Sequence, residues 1–425
     1  MLKYVAEFLK SHWDGHSPLL LGYSGGPDSK ALFYALLESG CRTLHLAHVD
    51  HGWRPESAKE TLELEEEAKS LGIPFHTIRL NLSPNINKEA ASREARLAFF
   101  RSLFETIPFQ ALILAHQAGD VAETALKRIL EGAHLPFLGG MEPVGRIDGM
   151  FVWRPLYSTK KEEILSFLQH KQLKPLIDPT NSDPTYLRAR MRMEILPFLA
   201  RTFGKEISEN LHLLSCRAAE LKAYLEKKIE VHEPQRGPWG LFSSISHLER
   251  LEARYLLQKW ADLEKIRLPR TLLEAALDAA SSNLPNRRIS SRILIDRGKV
   301  FFLSSSPPSW GADPLPLLPG SWTWGDWTIS VQEDEGRPFE GVDWTRVWSG
   351  RFNVRVPRGV LTMPSPGTSL RHLWNQMKVP AFFRYQVPIV SNEKGGSIEF
   401  LTGKNLSDPK RDLIINISSH SAPTS

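Results

Sequence analysis

Short apolar runs alternate with stretches of helical period from Pro18 to about Tyr157: "PLLLGY", "SKALFYALLE", "TLHLAHV", "ESAKETLELEEEAKSLG" and "IPFHTIRL". Runs too short for helices, separated by segments with apolar residues every third or fourth position, predict β-α-β units and a parallel sheet with helices on both faces. "QALILAH" and "FVWRPL" add two strands. Gly40 and Gly72 fall just past two of these helices, where a C-terminal cap favours positive φ. The N-terminal "MLKYVAEFLKSHWDGH" reads as an amphipathic helix, with Lys3, Glu7 and Lys10 among its apolar positions, and not as a secretory signal.

Between Lys160 and about Leu303 the helical period dominates, as in "KKEEILSFLQHKQL", "RAAELKAYLEKKIE" and "LERLEARYLLQKWADL". The proline- and serine-rich stretch Ser304–Trp322 marks a boundary, after which "WTISVQ" and "FNVRVP" alternate like strands and "SLRHLWNQM" is helical. The expected fold class is α/β: a doubly wound parallel sheet followed by a small helical domain and a C-terminal α+β domain. The expected boundaries are 1–200 for the catalytic domain, 201–303 for the mainly helical domain, 304–340 for a linker and 341–425 for the C-terminal domain.

Composition narrows the class without naming a function. Hydrophobic residues at 41% and charged residues at 24% fit a folded globular chain, against a disordered or fibrous one. A net charge of +5 suits a polyanionic partner but is common in soluble proteins. Cys41 and Cys216 form no C-x-x-C pair, which argues against a disulfide scaffold, structural zinc or an iron–sulfur cluster. No uncharged apolar run is long enough for a membrane span, so the expectation is a cytoplasmic protein.

Chemistry concentrates in "LLLGYSGGPDSKALFYALLE", Leu19–Glu38. A glycine-rich turn between a buried strand and a helix puts backbone N–H groups at the positive end of the helix dipole, where phosphate oxygens bind. Ser24 and Ser29 add hydroxyls, Gly25 and Gly26 allow close approach, and Pro27 presets φ at the helix start. Asp28 would repel phosphates unless a hard cation lies between, which predicts Mg²⁺ at Asp28. The competing reading is an ordinary capped turn. The spacing matches neither a Walker loop nor G-x-G-x-x-G.

Two further clusters follow. His116, Asp120 and Glu123 come after "QALILAH", either delivered to the crevice at a strand's C-terminal end or serving as favourable first-turn acids. Arg188, Arg190 and Arg192 lie at every second position, which spreads them round a helix. With Lys205, Arg217, Lys222, Lys227 and Lys228 they read as a solvated face or as phosphate contacts to RNA. Aromatic residues in the tail read as core more readily than as base-stacking platforms.

"SGGPDS" resembles the S-G-G-x-D-S loop of the N-type ATP pyrophosphatases, the PP-loop superfamily. "HVDHGWRPES", "EAASREARLAFF", "AHQAGDVAET" and "IDPTNSDPTYLRARMRMEILPFL" resemble segments of the tRNA(Ile)-lysidine synthase family, as does the tail "LRHLWNQMKVPAFFRYQVPIV". The resemblance implies an adenine nucleotide α-hydrolase-like fold and a ligase. Such a ligase adenylates the C2 oxygen of the wobble cytidine of tRNA(Ile) with a CAU anticodon, and the ε-amine of free L-lysine then displaces AMP. It implies ATP at Ser24, Gly25, Gly26, Pro27, Asp28 and Ser29, with Mg²⁺ at Asp28, and catalytic roles for Asp28, Asp120 and Glu123. His51, Arg93, Arg96, His116 and Thr124 are its other motif residues. RNA contacts are expected from Asn181, Arg188, Arg190 and Arg192, and a homodimer is compatible with it.

The chain departs from the family's pattern in places. Gly119 replaces the first acid of a D-D pair, Ser92 and Leu97 replace alanine and tyrosine, and Ala189 replaces asparagine. "EGAHLPFLGGM" lacks an R-G-S-G-like run. The alternatives are another PP-loop ligase acting on a different tRNA base, or a non-catalytic RNA-binding protein retaining an ATP loop. Thiolation is disfavoured by the lack of paired cysteines.

Overall fold

In the computed structural model, residues 1–52, 56–80, 88–177, 185, 187–334, 343–364, 370–391, 397–398 and 413–420 are described. They form two compact units, Met1–Tyr224 and Leu225–Ser425.

The first unit runs α1 (Leu2–His12), β1 (Leu19–Gly22), α2 (Pro27–Glu38), β2 (Leu44–Asp50), α3 (Ser57–Ser70), β3 (Phe75–Arg79), α4 (Lys88–Thr106), β4 (Ala111–Ile113), α5 (Ala118–Leu130), β5 (Val144–Ile147), β6 (Met150–Trp153), α6 (Lys161–His170) and α7 (Leu187–Arg190). A π-helical turn, Met191–Ile195, leads into α8 (Leu196–Phe203), and α9 (Ile207–Ile229) follows. The six strands are ordered β3-β2-β1-β4-β6-β5, all parallel except β5, which pairs antiparallel with β6.

Leu19, Leu20 and Leu21 are all fully buried, as a central strand covered on both faces requires. Their side chains alternate: Leu19 and Leu21 join residues of α1, α2, α3 and α6, whereas Leu20 packs with Phe100 of α4, Leu112 and Val152. Gly40 and Gly72 have φ of +87° and +68°, the left-handed conformation expected of them. The chain winds outward from β1 to β3 and returns to β4 on the other side of β1. The C-terminal ends of β1 and β4 thus flank the switch point where ligands of such sheets bind.

The second unit holds the helices Arg250–Leu263 and Arg270–Ser281 and also a five-stranded antiparallel sheet that includes Gly240–Ser244, Ile293–Asp296 and Lys299–Leu303. The helical period read across 201–303 passes over these strands because each is only a few residues long. Two four-stranded sheets follow, one built of Gly320–Trp324, Trp327–Glu333, Leu413–Ser419 and Arg351–Val356.

Within the stretch expected to be a linker, the described residues 304–334 include packed aromatic side chains. Trp310 stacks on Trp327 at 4.0 Å, and a Cβ on Gly311 would come within 2.0 Å of the Trp324 ring. Gly311 serves close packing, and Gly325, at φ +66°, serves a tight turn. Trp327, Trp348, Trp374 and Phe383 are fully buried, which supports the core reading of the tail's aromatics. No helix among the described residues is long and apolar enough to cross a membrane.

Candidate active site

The loop after β1 is shaped by its glycines. Gly25 has φ +75°, and a Cβ there would lie 2.8 Å from both Leu64 and Leu176, so only glycine fits without displacement. Gly26 is the N-cap of α2 and Pro27 occupies its first turn, but no side chain caps the helix. The Ser29 hydroxyl instead donates to the Gly26 carbonyl at 3.1 Å and lies 3.0 Å from the Ser24 hydroxyl. The ordinary capped turn is therefore not what this stretch builds, and the first-turn N–H groups keep their capacity to hold an anion.

Asp28 accepts a 2.6 Å hydrogen bond from Lys161 Nζ, at the first turn of α6. Burial raises the Asp28 pKa; Lys161 opposes that rise, and Asp120 adds to it through its like charge.

The loop after β4 is organised by side chains. Gln117 caps α5: its side chain accepts from Gly119 N, and Asp120 Oδ2 accepts from Gln117 N at 3.0 Å, completing a capping box. Asp120 thus fills the role of a first-turn acid, yet its other oxygen faces the site. Arg192, on the π-helical turn, donates from Nη2 to Asp120 Oδ1 at 3.1 Å and from Nε to Glu123 Oε1 at 2.6 Å. Glu123 is only 4% exposed, and burial raises its pKa against the pull of Arg192. A Cβ at Gly119 would lie 2.9 Å from the Gln117 amide, so the capping side chain occupies the space that an acid at position 119 would enter.

Beside these acids opens a cleft of about 870 Å³. Arg93, Arg96 and Leu97 of α4, His116, Arg128, Arg154 and Arg188 line it, together with His51 and Thr124. Arg154 Nε donates to His116 Nδ1 at 3.2 Å, so that nitrogen is the imidazole's acceptor. Burial, then Arg154, Arg96, Arg188 and Arg93, pushes the His116 pKa down to about 3, which keeps the ring neutral at physiological pH. Burial and Arg93 also lower the Arg96 pKa. Ser92 Oγ and Arg96 Nε are buried with no hydrogen-bond partner among the described residues. Such a surplus of unsatisfied donors and cations suits an anionic ligand.

The sequence-identified residues therefore divide. Ser24–Ser29, Asp120 and Glu123 lie at the ends of the neighbouring strands β1 and β4, and His51, Arg93, Arg96, His116, Thr124 and Arg188 line the cleft. Asn181 lies outside the described residues. Arg190 is exposed, as a solvated face requires. Arg192, expected to contact RNA, has its guanidinium engaged by two carboxylates. Lys222 likewise pairs with Glu142.

Lys161, Arg154 and Gln117 carry no local sequence signal of their roles. Lys161 and Arg154 have partners far away in sequence, and Gln117 is an uncommon helix cap. In the altered loop after α5, Arg128 donates to the Phe137 carbonyl at 2.6 Å, and Gly140, at φ +65°, leaves room for Arg128 and Thr124.

Among the described residues no group of three or more His, Cys, Asp or Glu could hold a metal ion. A hard, oxygen-only carboxylate at the start of a helix whose first-turn N–H groups carry no side-chain cap nonetheless fits Mg²⁺, which is commonly held by one or two carboxylates together with substrate phosphates.

The chain is similar to several known proteins. A family model described as PP-loop domain matches residues 2–199. The chain is 34% identical to tRNA(Ile)-lysidine synthase of Protochlamydia amoebophila, over 98% of this chain and 97% of that protein. It is 34% identical to the Chlamydia pneumoniae protein of the same name, over 65% of this chain and 89% of the relative. Among solved structures, the U34-tRNA thiolase NcsA from Methanococcus maripaludis aligns at TM-score 0.43 and 18% identity, over 52% of this chain and 77% of that one. With a relative 34% identical over 98% of the chain, and a PP-loop domain match that contains the glycine-shaped loop and the acids Asp28, Asp120 and Glu123, the chain belongs to the tRNA(Ile)-lysidine synthase family.

Proposed function

We propose that the ends of β1 and β4 divide the two steps of lysidine formation, the ATP-dependent ligation that defines this family. In the first step the loop at Ser24–Ser29 holds the triphosphate of ATP. The C2 oxygen of the wobble cytidine attacks the α-phosphorus, and pyrophosphate leaves with the electron pair of the broken P–O bond. Backbone N–H groups offset the charge that develops. Asp28 would hold Mg²⁺, which neutralises phosphate charge when bound. Lys161 then exchanges its carboxylate partner for the nucleotide's anionic surroundings.

In the second step the ε-nitrogen of free lysine attacks C2, and AMP departs with the former base oxygen. A lysine amine has an ordinary pKa of about 10.4, so it arrives protonated and is not nucleophilic. Asp120 and Glu123 supply the carboxylates that bind the ammonium and accept its proton. Their ion pairs with Arg192 support this reading, since both carboxylates face one cation. The arginine-lined cleft supports entry of the RNA's anionic backbone beside them.

The observation that carries the reading is the gathering of Asp120 and Glu123 around one cation beside an uncapped, glycine-shaped helix N-terminus. Incubation with a CAU-anticodon tRNA(Ile) transcript, Mg·ATP and labelled lysine tests it. Label in the RNA with one AMP released per lysine is expected; AMP release without label, or no reaction, contradicts it. A homodimer is part of the same proposal, checked by light scattering.

A further inference from the structure

Thr61, Leu64 and Glu67 recur at every third position of α3 and so share one face. Each reaches the nucleotide loop or its root. Thr61 Oγ1 lies 3.2 Å from Nε2 of the buried His48, whose Nδ1 donates to the Tyr23 carbonyl at 2.9 Å. Leu64 fills the space that a Cβ on Gly25 would need. Glu67 has the widest reach. Its Oε2 accepts from the Tyr23 hydroxyl at 2.8 Å, and its Oε1 accepts from the Tyr34 hydroxyl and from Lys30 Nζ, both at 2.9 Å.

Tyr23 immediately precedes Ser24 and Lys30 immediately follows Ser29. One carboxylate therefore ties down both ends of the six-residue segment. Tyr23 is 1% exposed and Lys30 9%, so these bonds form away from water, where charged hydrogen bonds are strong and loss of one partner is costly. No part of the cluster lines the cleft, and nothing in the two chemical steps uses it.

We propose that Glu67 is a positioning residue for ATP: by holding Tyr23 and Lys30 it fixes the Ser24–Ser29 segment in its binding shape before nucleotide arrives. The inference rests on that segment being the nucleotide site. A loop ordered in advance does not lose its freedom on binding, so the benefit appears in ATP affinity and not in the chemical step.

The test compares Glu67→Gln, Glu67→Ala and an apolar variant that repacks the cluster, Tyr23→Phe/Lys30→Met/Tyr34→Phe/Glu67→Leu. Calorimetry with a non-hydrolysable Mg·ATP analogue gives Kd, tRNA-dependent ATP–pyrophosphate exchange gives KM and kcat, and melting reports the fold. Glu67→Ala is expected to raise Kd and KM for nucleotide about tenfold, the scale of one charge-assisted hydrogen bond, with kcat and the KM for tRNA within about twofold. Glu67→Gln, which keeps an acceptor for a phenol, should fall between. The apolar variant should melt near the parent yet keep the raised Kd, because replacing a buried charged cluster often preserves stability.

Parental nucleotide Kd in folded Glu67→Ala, or in the apolar variant should Glu67→Ala not fold, overturns the proposal. So does a parallel loss in kcat and tRNA affinity. Gly25→Ala is the control: if it weakens nucleotide while the Glu67 variants do not, only the tether fails. If neither weakens nucleotide, the loop assignment fails and takes the tether with it.

Discussion

The ends of β1 and β4 lie on adjacent strands, yet they are built in opposite ways. After β1 the chain makes its site from backbone: a positive-φ glycine, a glycine N-cap and a helix start that no side chain covers. After β4 it makes its site from side chains, with a capping box and an arginine bridging two acids. A backbone site asks for conformation and is spoiled by adding atoms. A side-chain site asks for charge balance and is spoiled by removing one partner. The first suits binding of a polyanion, and the second suits handling of a cationic nucleophile and its proton.

The sharpest break in that comparison is Asp28→Asn, which keeps volume but removes the charge offered to a metal. Pyrophosphate exchange should fall on the order of 10³-fold; exchange within tenfold of the parent would remove Asp28 from the first step. Next comes Gly25→Ala, which forces a Cβ into Leu64 and Leu176 at φ +75°. It should raise the KM for ATP about tenfold and cost roughly 1–3 kcal/mol of stability, read by denaturant titration.

Arg192→Met separates the two ends. Exchange should stay within about twofold, while lysine transfer falls about tenfold, the scale of one charge-assisted interaction. Its pH dependence has a defined sign. Burial raises the Glu123 pKa and Arg192 opposes the rise, so loss of Arg192 raises it further. The acid limb of the transfer rate, which is lost as pH falls through that pKa, should therefore move to higher pH. A limb that stays put or moves down would detach Glu123 from proton transfer. The smallest effect belongs to His116→Gln. With its pKa near about 3, the imidazole is already neutral, so the shape of the profile above pH ~5 should not change.

The same contrast explains what could be read from sequence. The β-α-β alternation, the caps at Gly40 and Gly72 and the whole of Ser24–Ser29 are local requirements written in consecutive residues. The ion pairs were not legible: Lys161 stands 133 residues from Asp28, and Arg192 stands 69 from Glu123. Nothing in "KKEEIL" distinguishes Lys161 from a solvated helix lysine until α6 is seated against α2 by the packed residues of Ile164 and Leu168. Arg192 was legible as a basic residue but not as a partner of acids, because a π-helical turn shifts the face on which it emerges. The short strands of the second unit were masked by the helices between them, and the packed tryptophans by their proline-rich setting.

The division of labour between the two strand ends is tested most directly by withholding one step. Glu123→Gln should still consume ATP and accumulate tRNA(Ile) adenylated at the wobble cytidine, visible by mass spectrometry of nuclease digests, with little chase to lysidine on adding lysine. Prompt conversion to lysidine at the parental rate, or absence of the adenylated RNA altogether, would contradict the account.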